Sequence, residues 1–199
     1  MTPLGELLEW LVDLLVDAVD AGSYPAVFAL MTLESALIPI PSEVVMPFAG
    51  LLVARGRMDF WASVASGVMG NLAGSLTAYW LGRSWGREAV LRLPWITEGH
   101  LNSAEEFFRR RGRSAVLVGR VTPAVRTFIS LPAGMAGMDP AEFSVLTAVG
   151  SVPWNAALVW AGVVLEENWT VVREFLEPLA LIAVLVAAIL LWRWLSCRG

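Results

Sequence analysis

Residues 60–81 carry no charged side chain, and neither do residues 143–165. Each run has the roughly 20 residues that a helix needs to cross the ~30 Å hydrocarbon layer of a bilayer. Backbone polar groups find no water in that layer, so such a segment must satisfy its own hydrogen bonds, as a helix does. The rest of the chain agrees. Of 199 residues, 57% are apolar and 16% charged, with a mean hydropathy of +0.64, whereas a soluble domain is nearer a quarter charged. The expectation is an all-α polytopic membrane protein, a single membrane domain over residues 1–199. A net charge of −4 gives no reason to expect nucleic acid as a partner. Cys197 stands alone, so no internal disulfide or redox pair is supported. The acidic first residues do not read as a signal peptide.

Two apolar stretches are broken by proline and charge. Residues 34–43 read Glu-Ser-Ala-Leu-Ile-Pro-Ile-Pro-Ser-Glu, and residues 119–126 read Gly-Arg-Val-Thr-Pro-Ala-Val-Arg. One charge at bilayer depth costs roughly 2.5–3.5 kcal/mol on insertion scales, so four of them call for mutual compensation or a task. Residues 24–54 are too long for one span and too short for two with a loop. They predict a re-entrant helical hairpin with Pro39 and Pro41 at its tip. Residues 114–136, with Pro123, Pro132 and Gly134, predict a second hairpin with Pro123 at its tip. Irregular backbone at membrane depth is tolerated inside protein or beside water, so both tips point to a packed centre or a cavity.

Ahead of the first hairpin, Leu4, Leu7, Leu8, Leu11, Leu14, Leu15 and Val19 recur at helical spacing opposite Glu6, Glu9, Asp13, Asp17 and Asp20. This predicts an amphipathic helix over residues 4–20, lying at an interface rather than spanning. Residues 97–111 predict another. Arginines at 83, 87 and 92 follow the first span and, with Arg109, Arg110, Arg111 and Arg113, read as cytoplasmic anchors. His100 reads as a solvated residue of that second amphipathic helix. A last span is expected over residues 176–195. The order amphipathic helix, hairpin, span thus occurs twice with opposite orientation. That gives two inverted repeats, residues 1–83 and 97–165, followed by a C-terminal transmembrane helix over residues 172–196. Ala49-Gly50 ahead of Met58-Asp59-Phe60 parallels Ala136-Gly137 ahead of Met138-Asp139 and Phe143. Gly70 and Gly82 are spaced as are Gly150 and Gly162. Many transporters build a midplane site at such a repeat interface. The charge bias sets the N-terminus outside and the C-terminus in the cytoplasm.

Arg120 and Arg126 are six residues apart, about 120° around a straight helix, and a break at Pro123 lets them converge. Their planar donor forks suit phosphate oxygens; they equally suit pairing with glutamates that hold the hairpins together. Glu34 and Glu43 flank the prolines of the other hairpin, so Glu34 is expected near Arg126 and Glu43 near Arg120. An acid that moves between an apolar site and an arginine changes its proton affinity, as a proton-coupled carrier requires. Glu43 also suits the N-terminus of a helix capped by Ser42. Asn155 and Asn71 read as structural hydrogen-bonding residues, Asn155 toward a hairpin backbone group. Tyr79 and the tryptophans read as interface or packing residues. No cluster has metal-ligand spacing, the only histidine is far in sequence from any motif serine, and no phosphate-binding glycine loop occurs. No enzyme activity, metal or cofactor is expected.

These residues also resemble a known family. Glu34-x4-Pro39-x-Pro41-x-Glu43, Gly70-x3-Gly74-x4-Tyr79-x2-Gly82-Arg83-x2-Gly86, Phe108-x3-Gly112, Gly119-Arg120-x2-Pro123-x2-Arg126, Ala133-Gly134 and Gly150-x3-Trp154 with Gly162 follow in order. Over roughly residues 24–165 the chain resembles the DedA family, whose superfamily includes the SNARE-associated Golgi (VTT-domain) proteins. The resemblance implies facing re-entrant hairpins in the plasma membrane and translocation of a lipid, undecaprenyl phosphate or a phospholipid, in a flippase- or scramblase-like manner. It implies proton coupling and places Glu34, Glu43, Arg120 and Arg126 at the family's essential charges. Many members carry an acid where Ser75 stands, so a third carboxylate has no counterpart here. The expected function is therefore lipid transport, with Arg120 and Arg126 binding the headgroup phosphate, Glu34 and Glu43 coupling protons, and Asn155 and Tyr79 in support. A proton-coupled cation or drug antiporter and a non-transporting assembly factor stand as alternatives. The oligomeric state is left open, a homodimer included.

Overall fold

The leucine ladder that begins at Leu4 runs on past the acidic residues. In the computed structural model, which describes residues 3–38, 40–91, 97–121 and 126–166, helix α1 covers Pro3–Ser35. It breaks at Ser23, whose φ of 46 and ψ of −127 leave helical space. The break lies just ahead of Pro25, which cannot donate to the preceding turn but fits the first turn of the helix that resumes. The expected amphipathic helix over residues 4–20 is thus joined to the first arm of the apolar segment. Asp13–Ser35 is long and apolar enough to cross a bilayer, and so is Pro140–Val164.

The chain turns at Ala36 and Leu37 and continues as α2, Ser42–Ala54. Leu37 sits in the turn with φ 74, buried against Ala78, Leu101 and Leu131, which holds a backbone conformation that leucine otherwise avoids. Helix α3, Phe60–Val90, is 31 residues long with a break at Gly86. It is therefore longer than the expected span over residues 60–81. Its glycine, serine, asparagine and threonine residues keep it less apolar than the other two, and it spends them on packing. Gly70 lies against the backbone of Phe28, and Gly74 against that of Thr32 and Ala36, so α1 and α3 touch main chain to main chain.

Helix α4, Glu98–Arg111, and the short α5, Ser114–Arg120, lead into the second broken segment, which re-forms as α6, Ser130–Met135. Helix α7, Pro140–Val164, starts at Asp139, whose carboxylate accepts the Glu142 N–H at 2.9 Å, with Pro140 in the first turn. Two further crossings are equally close. Gly82 and Gly134 place α3 against α6, with Gly134 on the Tyr79 carbonyl. Gly162 and Gly50 place α7 against α2, with Gly162 on the Pro47 carbonyl.

The largest core cluster joins α1, α2, α3 and α7 through Val27, Met31, Met46, Phe48, Val68 and Val159. A second packs Tyr79, Val116, Ala133 and Phe143. Outward, Trp61, Met69, Trp80, Val145, Val149 and Trp160 are exposed on α3 and α7, an apolar exterior that suits lipid. Pro39, Pro123 and the expected C-terminal helix over residues 172–196 lie outside the described residues.

Candidate functional site

The two turns meet. Arg126 follows the break in the second apolar segment and is buried. Its Nη2 lies 2.9 Å from Glu34 Oε1 and 3.2 Å from Glu43 Oε1, and it also donates to Ser42 Oγ. One guanidinium therefore bridges the end of α1 and the start of α2. The expected contact of Glu34 with Arg126 is present. That of Glu43 with Arg120 is not, because both carboxylates converge on Arg126. Ser42 does not cap α2 either: Pro41 holds the N-cap position without a side-chain bond, and the Ser42 hydroxyl accepts from Arg126. Glu43 does occupy the first helical turn, where an acid is favoured.

Arg120 is 4% exposed and is held differently. Its Nη1 donates to the Arg126 carbonyl at 3.1 Å and its Nη2 to Ser130 Oγ at 2.9 Å, with Thr147 Oγ1 at 3.4 Å. Among the described residues no carboxylate lies within ion-pair distance of it. Its aliphatic stem rests on Gly150 of α7, where any side chain would press on Arg120 Cβ and Cγ. Its guanidinium carbon stands 5.9 Å from the centre of the Phe143 ring, which stacks on Tyr79 at 4.8 Å. Tyr79 is fully buried and donates to the Met138 carbonyl. It supports Arg120 through Phe143 and does not line the site.

A polar chain continues from Glu34 across the molecule. Ser35 Oγ lies 3.2 Å from Glu34 Oε2, and Asn71 Nδ2 donates to Glu34 Oε2 at 3.2 Å and to Ser35 Oγ at 2.8 Å. Asn155 Nδ2 donates to Asn71 Oδ1 at 2.8 Å and to the Ser151 carbonyl at 2.9 Å. Asn155 thus bonds a facing side chain and its own helix, in place of the expected hairpin backbone. Glu34, Asn71, Arg120, Arg126, Trp154 and Asn155 share a cavity of about 10 Å³, room for about one water molecule. Ser75 is buried as well.

Trp154 is the residue that sequence reasoning passed over as one tryptophan among ten. Arg126 sits over its ring, guanidinium carbon to ring centre 5.1 Å. Two buried donors at this cavity, Arg120 Nε and Trp154 Nε1, meet no acceptor among the described residues. The signal was present in Gly150-x3-Trp154, because positions four apart share a helix face and Gly150 carries Arg120.

The arginines of α4 are largely engaged elsewhere. Arg109 and Arg110 both bind Glu106, and their hydrogen bonds hold its carboxyl below the usual carboxylate range. Arg113 lies 3.2 Å from Glu142, and Arg87 donates to Glu105 at 2.6 Å.

The VTT domain family matches residues 40–164, which include every residue of the site except those on α1. The uncharacterized membrane protein YkoX of Bacillus subtilis is 36% identical over 173 residues, 85% of this chain and 76% of its own length. Undecaprenyl phosphate transporter A of the same organism is 30% identical over 193 residues, 94% of this chain and 91% of its own. An alkaline phosphatase-like protein of Lactococcus lactis subsp. lactis is 28% identical over 189 residues, 89% of this chain and 87% of its own. No solved structure matches the chain. On the domain match and on this similarity along most of its length, the chain belongs to the VTT-domain family of membrane proteins, the DedA proteins.

Proposed function

We propose that this protein carries a phosphate-bearing membrane lipid across the plasma membrane, with the headgroup between Arg120 and Arg126 and the chain left in the bilayer. The observation that carries this reading is Arg120: a buried cation that, among the described residues, hydrogen-bonds neutral oxygens and keeps one N–H without an acceptor at a cavity between two broken helices. Ionisable side chains in the interior of a membrane domain are expected to mark a substrate path. The similarity to undecaprenyl phosphate transporter A makes undecaprenyl phosphate the first substrate to test.

A cavity of about 10 Å³ does not admit a phosphate group, so the arrangement described is an occluded one. Opening requires Arg126 to leave Glu34, Glu43 and Ser42. The freed carboxylates then take up protons, which couples lipid movement to the proton gradient. The segments around Leu37 and around residues 127–129 act as tips of re-entrant hairpins. Inverted repeats are supported by the two matching crossings: Gly82 of the first long span meets Gly134 of the second broken segment, and Gly162 of the second long span meets Gly50 of the first. By these contacts Gly134 is the counterpart of Gly50, whereas the parallel of Ala49-Gly50 with Ala136-Gly137 makes it Gly137. The arginines that follow the first long span support a cytoplasmic C-terminus. Cation antiport is less well supported, because both glutamates already face an arginine.

The test is transbilayer movement of labelled undecaprenyl phosphate in proteoliposomes. Arg120→Gln is expected to abolish it while the protein keeps its melting temperature within a few degrees. Wild-type rates in that variant would remove Arg120 from the proposal. The lipid is expected to cross intact; release of inorganic phosphate would point to hydrolysis instead of transport.

A further inference from the structure

We infer that Trp154 is a ligand-binding residue whose indole N–H, together with Arg120 Nε–H, holds one oxygen of the lipid phosphate. The inference rests on the lipid-phosphate reading above and adds to it a donor that carries no charge. Three observations converge on it.

Trp154 Nε1 and Arg120 Nε are both buried and both lack an acceptor among the described residues, and both residues line the same cavity. Buried N–H groups in folded proteins are almost always paired, so two unpaired donors at one cavity describe a seat for an acceptor. The cavity has room for about one oxygen-sized group. The guanidinium and the indole cannot accept in return, while Asn155 Oδ1, which lines the same cavity, is a buried acceptor left unpaired among the described residues. A singly protonated phosphate supplies both the anionic oxygen for the two donors and the O–H for Asn155.

The two donors also travel together. Arg120 leans on Gly150 and approaches Thr147, and both belong to α7, as does Trp154. Arg126, by contrast, is held by α1 and α2. When Arg126 withdraws, Arg120 and Trp154 keep their relation and remain a formed half-site.

The ring of Trp154 has a second task in the closed arrangement, since Arg126 stacks on its face. The indole thus seats Arg126 when the site is empty and donates to phosphate when it is filled. The two tasks separate experimentally, because the first needs the ring and the second needs the N–H.

The test measures binding to the full-length protein in detergent by native mass spectrometry, with undecaprenyl phosphate as probe and undecaprenol as its uncharged counterpart. Wild-type protein is expected to prefer the phosphate. Trp154→Phe is expected to weaken phosphate binding about tenfold, the loss of one hydrogen bond to a charged group, and to leave undecaprenol binding unchanged. Trp154→Leu serves equally should the Phe variant fold poorly, and Trp154→His, which keeps a ring N–H, is expected to regain affinity. The loss is expected to persist in an Arg126→Gln background, where the seating task is gone. Unchanged phosphate affinity in the Phe variant, an equal loss for both lipids, or an effect that vanishes in the Arg126→Gln background overturns the role of Trp154 and leaves the lipid-phosphate reading standing. Wild-type protein that binds both lipids equally overturns that reading, and this inference with it.

Discussion

Arg120 and Arg126 are six residues apart, yet the fold gives them opposite surroundings. Arg126 is neutralised by Glu34 and Glu43, whereas Arg120 meets carbonyl and hydroxyl oxygens. Removing one partner of a buried pair strands the other charge and costs about 3–5 kcal/mol. Arg126→Gln leaves Glu34, itself 5% exposed, with Ser35 and Asn71 as hydrogen-bond donors and no cation in contact among the described residues. It is expected to lower stability by about 3–5 kcal/mol in denaturant unfolding of the purified protein. The double variant with Glu34→Gln is expected to recover much of that, since the stranded charge is gone. Strictly additive losses would show that the pair contributes nothing as a pair. The four charges were legible in the sequence, because charge beside proline in apolar surroundings needs compensation. Their partition was not legible. The direction of Arg120 is fixed by its stem on Gly150 and its ring contact with Phe143, and these contacts join residues 23 and 30 positions away.

At the scale of elements, glycine sets how closely helices approach. Gly134 abuts the Tyr79 carbonyl and Gly162 the Pro47 carbonyl, so an added methyl overlaps backbone that has nowhere to move. Gly134→Ala and Gly162→Ala are each expected to cost about 1–3 kcal/mol, at the severe end of overpacking. Gly99 of α4 has only Thr97 Oγ1 near the position of a methyl, at 3.8 Å. Gly99→Ala is therefore expected to be neutral or to stabilise by up to about 1 kcal/mol. Melting temperatures of the three variants check the ordering, and a Gly99 variant as damaged as the other two would refute it. The Gly70-x3-Gly74 approach was readable from spacing. The continuity of α1 was not: the amphipathic pattern ends at residue 20 and the apolar stretch begins at residue 24, but Pro25, in the first turn of the resumed helix, lets the two run on as one element.

For the whole molecule, these crossings define which parts are able to move together. Gly70 and Gly74 join α1 to α3, and Gly82 with Gly134 adds α6. Gly50 with Gly162 joins α2 to α7, and Gly150 adds α5 through Leu117 and Arg120. Each bundle therefore mixes segments from both halves of the chain, and the charged cavity lies along the seam between them. Across that seam run the core contacts of Val27, Met31 and Val68 with Met46, Phe48 and Val159, the bond from Asn155 to Asn71, and Arg126, which binds Glu34 of α1 and Glu43 of α2. Transport is expected to open this seam rather than to part the two halves of the chain, since parting the halves would break the close backbone contacts of Gly134 on Tyr79 and of Gly162 on Pro47. Met69 of α3 and Val152 of α7 are exposed and flank one outer groove across the seam, away from the charges. With Cys197 replaced by serine, Met69→Cys and Val152→Cys give a pair that a short bis-thiosulfonate reagent can bridge. Bridging is expected to stop lipid movement in proteoliposomes, and reduction to restore it, while the unbridged pair stays active. Full transport in the bridged protein would mean that the seam does not open, and that the lipid headgroup takes another route.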